Sequence, residues 1–147
     1  MNIVDTDTFT LYTHHQGKQP LLTRKIDAAH SGTLWITMIT VDEVLSGIFR
    51  LINDPRRDYQ SKLDDCQLLR KSLRGLGAFP ILPTSPQSAS IFDGLPAHIK
   101  RIGPRDCRIA SMARDFGYAV ITCITRDFRQ IGEHMNGNCE DWTIAEG

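Results

Sequence analysis

Five acidic residues fall where strand-like segments end or where helical segments begin. Asp5 and Asp7 follow Ile3-Val4, and Glu43 follows the apolar run 34–39. Asp106 lies just inside the segment opened by Gly103-Pro104, and Asp127 comes shortly after the run 118–123. Carboxylates gathered at one place repel one another and take up protons unless a cation neutralises them. Their oxygens are hard ligands of the kind that suit Mg²⁺ or Mn²⁺. Each acid also has a purely structural use. Asp5 and Asp7 can end a strand and start a turn. Thr40-Val41-Asp42-Glu43 fits a capping box, with Glu43 reaching back to the backbone of Thr40. Asp106 can offset a helix dipole from the first turn, and Asp127 can be an exposed turn residue. Singly, the structural use is the commoner one, because surface acids are frequent. The order and spacing of the whole set point instead to a metal site.

Such a site needs elements that bring distant acids to one edge. Ile3-Val4 reads as the end of a first strand, and 6–16 is polar and Thr-rich up to a break at Gly17. A modest helix is predicted over 21–30, closed by Ser31-Gly32. The run 34–39 is rich in β-branched and bulky apolar residues and reads as a buried strand. From Thr40 the period changes: Val41, Val44, Leu45, Ile48 and Ile52 recur at helical spacing, and Asp54-Pro55 stops them. A second helical run places Tyr59, Leu63, Cys66, Leu69, Leu73 and Leu76 in register and ends near Gly75–Gly77. Residues 79–83 read as a brief strand, and 84–101 as a helix interrupted by Gly94 and Pro96. Gly103-Pro104 opens a helix with an inner face of Ile109, Met112, Ala113 and Phe116, stopped by Gly117. A strand over 118–123 follows, and 141–144 reads as a last short strand. Alternating strands and helices predict a mostly parallel sheet covered by helices, with functional groups beyond the strands' carboxyl ends.

Composition narrows the function classes. At 147 residues the chain has the length of one domain, so 1–147 is read as a single unit. The apolar fraction of 41% and charged fraction of 23% are those of a soluble globular protein. Aromatics, at 7%, are too few for an extended base-stacking platform. Seventeen Lys and Arg balance seventeen Asp and Glu, which argues against coating nucleic acid through bulk charge and leaves room for a local basic rim. Cys66, Cys107, Cys123 and Cys139 form no Cys-x-x-Cys pair and read as reduced thiols in a cytoplasm rather than as zinc ligands with His134. His14 and His15 read as solvent-facing. No leader and no membrane-length apolar stretch is evident, so a cytoplasmic location is expected.

The segments Ile3-Val4-Asp5-Thr6-Asp7, Ile39-Thr40-Val41-Asp42-Glu43-Val44-Leu45-Ser46-Gly47 and Arg105-Asp106-Cys107-Arg108-Ile109-Ala110-Ser111-Met112-Ala113 together resemble the PIN-domain family. Within it they are most similar to VapC-type toxins, the nuclease halves of toxin–antitoxin pairs. Thr125-Arg126-Asp127-Phe128 and Glu140-Asp141-Trp142-Thr143 resemble the same group, so the likeness spans nearly the whole chain in order. The resemblance implies a three-layer α/β/α fold and Mg²⁺-dependent endoribonuclease activity leaving 5′-phosphate and 3′-hydroxyl ends, with Mn²⁺ as an alternative ion. It implies Asp5, Glu43 and Asp106 as the principal metal-site carboxylates, a cognate antitoxin and a homodimer. The family usually carries Thr-Arg-Asn or Thr-x-Asp at the end of the last long strand. Thr122-Cys123-Ile124 stands there instead, and Ile124 cannot bind a cation, which leaves Asp127 as a partial substitute. Lys100, Arg101, Arg105, Arg108, Arg126 and Arg129 are candidates for a basic rim along the RNA backbone, or simply solvated helix surface. The apolar faces at 41–52 and 59–76 serve a partner contact or the core. Two other readings stand beside this one. A non-catalytic PIN scaffold would hold RNA or protein without cutting. A haloacid-dehalogenase-like phosphatase would use Asp5 as nucleophile, but it lacks that family's later Lys and acidic pair.

Overall fold

The computed structural model describes residues 1–29 and 32–145. The elements run β1 (Asn2–Val4), α1 (Thr6–His14), a 3-10 turn (Gln16–Lys18), α2 (Pro20–Ala28), β2 (Leu34–Thr37), α3 (Met38–Ile52), α4 (Tyr59–Gly77) and β3 (Ile81–Leu82). They continue with α5 (Pro86–Asp93), α6 (Ala97–Lys100), α7 (Pro104–Phe116), β4 (Ala119–Ile121), α8 (Thr125–Glu133) and β5 (Cys139–Glu140). The strands form a five-stranded sheet in the order β3-β2-β1-β4-β5, and every pairing is parallel. Ile3 pairs with Trp35 on one side and Val120 on the other.

Successive strand residues point to opposite faces, and the core divides accordingly. Ile3, Leu82 and Val120 pack with residues of α6, α7 and α8. Val4, Leu34 and Ile36 pack with residues of α1, α2, α3 and α4. The result is three layers, α/β/α. The chain winds β1-β2-β3 to one edge and returns through α5, α6 and α7 to lay β4 against the other side of β1. Beyond β1 the chain enters α1 on one face; beyond β4 it enters α8 on the other. That divergence opens a crevice at the carboxyl ends of these two neighbours, where α/β sheets bind ligands.

Several elements depart from the sequence expectation. Residues 6–14 form a helix because Asp5 caps it, accepting from the Thr8 backbone N–H at 2.8 Å, and because Phe9 is fully buried beneath it. Helix α3 starts at Met38, not Thr40, because the buried Thr37 hydroxyl accepts from Thr40 N–H at 3.2 Å. The expected capping box around Thr40 therefore does not form, and Glu43 lies beyond the first turn. The predicted register of α4 is only partly its inner face: Tyr59, Leu63, Cys66 and Leu73 are exposed. Leu69 and Leu76 do face the core as predicted, and Asp65 and Ser72 are buried alongside them. Two of these are polar and tolerate burial because they are paired. Asp65 takes a two-pronged hydrogen bond from Arg57 at 2.8 and 2.9 Å, and the Ser72 hydroxyl meets His14 Nε2 at 3.1 Å.

Residues 84–101 form two helices separated at Gly94, as the glycine and Pro96 foretell. Phe116 ends α7 partly exposed beside Tyr118, and Gly117 takes the left-handed conformation at φ 69°. Segment 125–133 is a helix where only a turn was expected: Phe128 and Ile131, three apart, bury one face against the core. The last strand is Cys139–Glu140, short of the predicted 141–144. It forms where Asn138 O and Glu140 O accept from Val120 and Thr122 at 2.9 Å each. Ser31 and His30, at the predicted close of the helix over 21–30, lie outside the described residues; α2 ends at Ala28. Among the described residues no helix is long and apolar enough to cross a membrane.

Candidate metal centre

Asp5 is the first residue beyond β1, and its backbone still belongs to the sheet, donating to Ile121 O at 3.1 Å. Its side chain is 2% exposed. Burial pushes its carboxyl up from 3.8 to about 6, although hydrogen bonds from Thr122 and Thr8 pull the other way; the nearby Asp7 adds to the rise. Threonines surround it. Cys123 N–H donates to Thr8 Oγ1 at 3.1 Å, and Ile124 N–H donates to Thr122 Oγ1 at 2.9 Å. The turn leaving β4 is thus fastened to the first turn of α1 across the crevice.

Glu43 faces the same opening from α3. Thr6 Oγ1 donates to Glu43 Oε2 at 2.5 Å and stands 3.4 Å from Thr40 Oγ1. Arg105 Nη1 donates to Glu43 Oε1 at 3.2 Å. Arg105 and Asp106 arrive on α7, whose thirteen residues span about 20 Å. Because α7 feeds into β4, it runs back along the sheet and its first turn sits at the carboxyl edge. Asp106 lies in that turn, and its carboxylate folds over Gly103 so closely that a Cβ there would come within 2.5 Å of Oδ2. Glycine at 103 therefore leaves room for the acid.

Asp106 reports the convergence. Its carboxyl is pushed up to about 6, first by burial and then by the charges of Asp5, Glu43, Asp7 and Asp127. Coulombic repulsion falls with distance, so these four acids stand within range of Asp106. Thr6, Asp7, Glu43, Gly103, Pro104, Arg105 and Asp106 line a cavity of about 250 Å³ there. Asp5, Glu43 and Asp127, expected from the sequence to share a metal site with Asp106, thus all act on its carboxyl, and so does Asp7. Asp127 does so from the first turn of α8, while Ile124 stands just before that helix with its side chain partly exposed.

The donor chemistry fits a hard divalent cation: carboxylate and hydroxyl oxygens whose mutual repulsion a cation relieves. The arrangement is not yet that of a coordination shell. Among the described residues no group of three or more Asp, Glu, His or Cys side chains stands ready to hold a metal ion. Glu43 is instead held by Thr6 and Arg105.

The candidate rim divides. Arg105 is in the cavity. Arg108 lies over the Phe92 ring at 5.2 Å, and Lys100, 5.0 Å from the same ring, donates to Asp93 O at 2.9 Å. Arg108 lines a separate groove between α5 and α7. Arg101 and Arg126 are exposed, Arg126 beside Asp127, and Arg129 interacts with Cys139. The sequence reading missed Thr8 and Thr122, which orient Asp5, and Thr6, which holds Glu43; it noted Asp7 without placing it in the metal site. The signal for Thr8 was present: an Asp three residues ahead of Thr8, with Phe9 next, is the spacing of a helix N-terminus.

The fold has close counterparts. FitAB bound to an IR36 DNA fragment superposes with a TM-score of 0.72 at 18% identity, over 100% of this chain and 99% of that one. VapBC2 from Rickettsia felis, bound to a DNA fragment from their promoter, gives 0.71 at 17% identity over 96% and 98%. VapBC-1 from nontypeable Haemophilus influenzae gives 0.71 at 19% over 97% and 98%. No curated protein sequence matches the chain. The sequence pattern of the PIN domain does, over residues 3–133. With that pattern running from β1 to the end of α8, and with the parallel sheet and its acidic crevice beneath it, this chain belongs to the PIN-domain family.

Proposed function

We propose that residues 1–147 form a single divalent-cation-dependent endoribonuclease domain, the toxin of a toxin–antitoxin pair. The observation that carries this reading is the cavity where Asp7, Glu43 and Asp106 meet, with burial and the surrounding acids pushing the Asp106 carboxyl up. PIN domains are generally nucleases, and the structural counterparts are VapBC and FitAB assemblies.

Asp5, Glu43 and Asp106, with Asp127 in support, are the residues that would hold Mg²⁺ or Mn²⁺. Such an ion supplies Lewis acidity toward the phosphoryl oxygens and acidifies water for in-line attack. The chain's own part is positioning. Thr8 and Thr122 aim the Asp5 carboxylate, and Thr6 aims that of Glu43. Asp5 and Asp106, raised to about 6, hold their protons more tightly than free carboxyls do, and a bound cation would favour their ionised form. Arg105 lies where a phosphate would approach the acids, and Arg101 and Arg126 are exposed charges available to the RNA backbone. Exposed Phe49, Leu51, Tyr59, Leu63 and Leu73 on α3 and α4 offer apolar area to an antitoxin or a second copy. A cytoplasmic site of action accords with this role.

The direct test is cleavage of structured RNAs with Mg²⁺ or Mn²⁺, against EDTA and the Asp5→Asn variant. Metal-dependent cutting that Asp5→Asn lacks is the expected result. Ile124 at the family's polar position favours a second reading, a PIN scaffold that binds without cutting. Tight RNA binding with no cleavage under either ion would select it. The PIN match leaves the phosphatase reading of Asp5-Thr6-Asp7 without support.

A further inference from the structure

The first turn of α7 carries a cation into the ring of acids. Arg105 Nη1 donates to Glu43 Oε1 at 3.2 Å, and Nη2 stands 3.9 Å from Asp42 Oδ2. The other Glu43 oxygen takes the Thr6 hydroxyl at 2.5 Å. Both carboxylate oxygens of Glu43 are therefore engaged, and the guanidinium shares its cavity with Asp7 and Asp106. This is a residue acting on a metal-site acid, not a bystander on the rim.

We infer that Arg105 is a positioning residue that holds Glu43 in the cation-free protein and is displaced from it by a divalent cation, so that arginine and cation compete for one carboxylate. The inference rests on the metal-dependent reading above. Three features carry it. A guanidinium and a divalent ion answer the same need, positive charge among acids that repel one another, and a cation ligated by Glu43 would stand in close like-charge repulsion with the Arg105 guanidinium on the same carboxylate. The pair is loose enough to exchange: the Arg105 side chain is 51% exposed and that of Glu43 20%. Asp42, 69% exposed and next in sequence to Glu43, is a ready alternative partner toward solvent. Release needs only a short swing of a long side chain, with no change in the fold.

The energetics set the expected size. A half-exposed pair of this kind contributes little, so competition from Arg105 weakens cation binding by a factor of about three to five. The experiment is a calorimetric Mn²⁺ titration of the full chain, wild type against Arg105→Ala and Arg105→Gln, with thermal melts of each in EDTA. Both variants should bind Mn²⁺ about three to five times more tightly than wild type and melt slightly lower in EDTA, where the acids lose their counter-charge. Binding detectable only in the variants is the extreme form of the same result. Unchanged or weaker Mn²⁺ affinity in folded variants, whatever the melts do, overturns the inference and leaves the metal reading standing. Absence of Mn²⁺ binding by all three proteins overturns the metal reading, and the competition with it.

Discussion

The two sides of the crevice hold their acids by different means. On the β1–α1 side, Asp5 is anchored by backbone: its own N–H pairs with β4, its side chain caps α1, and Thr8 and Thr122 close around it. On the α3–α7 side, Glu43 and Asp106 are side chains projecting from helices, and the contact that holds Glu43 to α7 is an ion pair with Arg105. Backbone hydrogen bonds in a buried sheet persist regardless of what charge is nearby, whereas a half-exposed ion pair yields to any stronger cation. One side is therefore preorganised, and the other is set by whichever positive charge occupies the crevice.

That contrast can be broken most sharply at its rigid end. Asp5→Asn should reduce metal-dependent RNA cleavage to background while leaving far-ultraviolet circular dichroism unchanged, because an Asn oxygen still caps α1. Full cleavage by this variant would remove Asp5 from the site. A pH series on the cation-free protein comes next. Asp5 and Asp106 are both raised from 3.8 to about 6, so the folded chain holds their protons more tightly than the unfolded chain does. Their contribution to stability is complete below pH 3.8 and is lost as pH rises through 6. For the buried Asp5 the loss is on the order of 2–3 kcal/mol. The melting difference between Asp5→Asn and wild type in EDTA should therefore grow in the variant's favour across that window, and saturating Mn²⁺ should shrink it. A flat difference would mean that Asp5 is not strained by its burial.

Thr8→Val tests the same anchoring from its partner. The Cys123 N–H loses its acceptor, which costs about 1–3 kcal/mol. Cleavage should fall as well, since the variant also removes the Thr8 hydroxyl from Asp5; a melt lowered without any loss of cleavage would make Thr8 a structural tie only. The smallest effect belongs to the flexible rim. Asp127→Ala relieves repulsion on Asp106, and as an outer partner it should weaken Mn²⁺ binding by about tenfold. Unchanged titration curves would reduce Asp127 to an acid in the first turn of α8.

The fold was legible wherever hydrophobic period was strong. Val41, Val44, Leu45, Ile48 and Ile52 all join the core cluster on their face, and Pro104 and Gly117 bound α7 as their types require. It was illegible where burial relied on paired polar groups. Segment 6–14 read only as polar and Thr-rich because its helix is secured by a cap and a single deeply buried Phe9, and the α4 register was partly misplaced because its inner face also carries Asp65 and Ser72. Helix α8 escaped for a related reason: Phe128 and Ile131 are too few to display a period, and become an inner face only once a core exists to receive them.

By itself the sequence determined which acids follow which strands and helix starts, since those positions depend on local pattern. Parallel strands then carry every such position to one edge, whatever the details of packing. What only the tertiary structure decided is what each acid touches there: that Asp5 lies buried among threonines, that Asp127 reaches Asp106 from α8, and that Arg105 rather than a ring of ligands receives Glu43. Those partners lie far apart along the chain; Thr8 and Cys123, which meet beside Asp5, are separated by 115 residues. Contacts at such separations depend on strand order and helix direction, which no local spacing encodes.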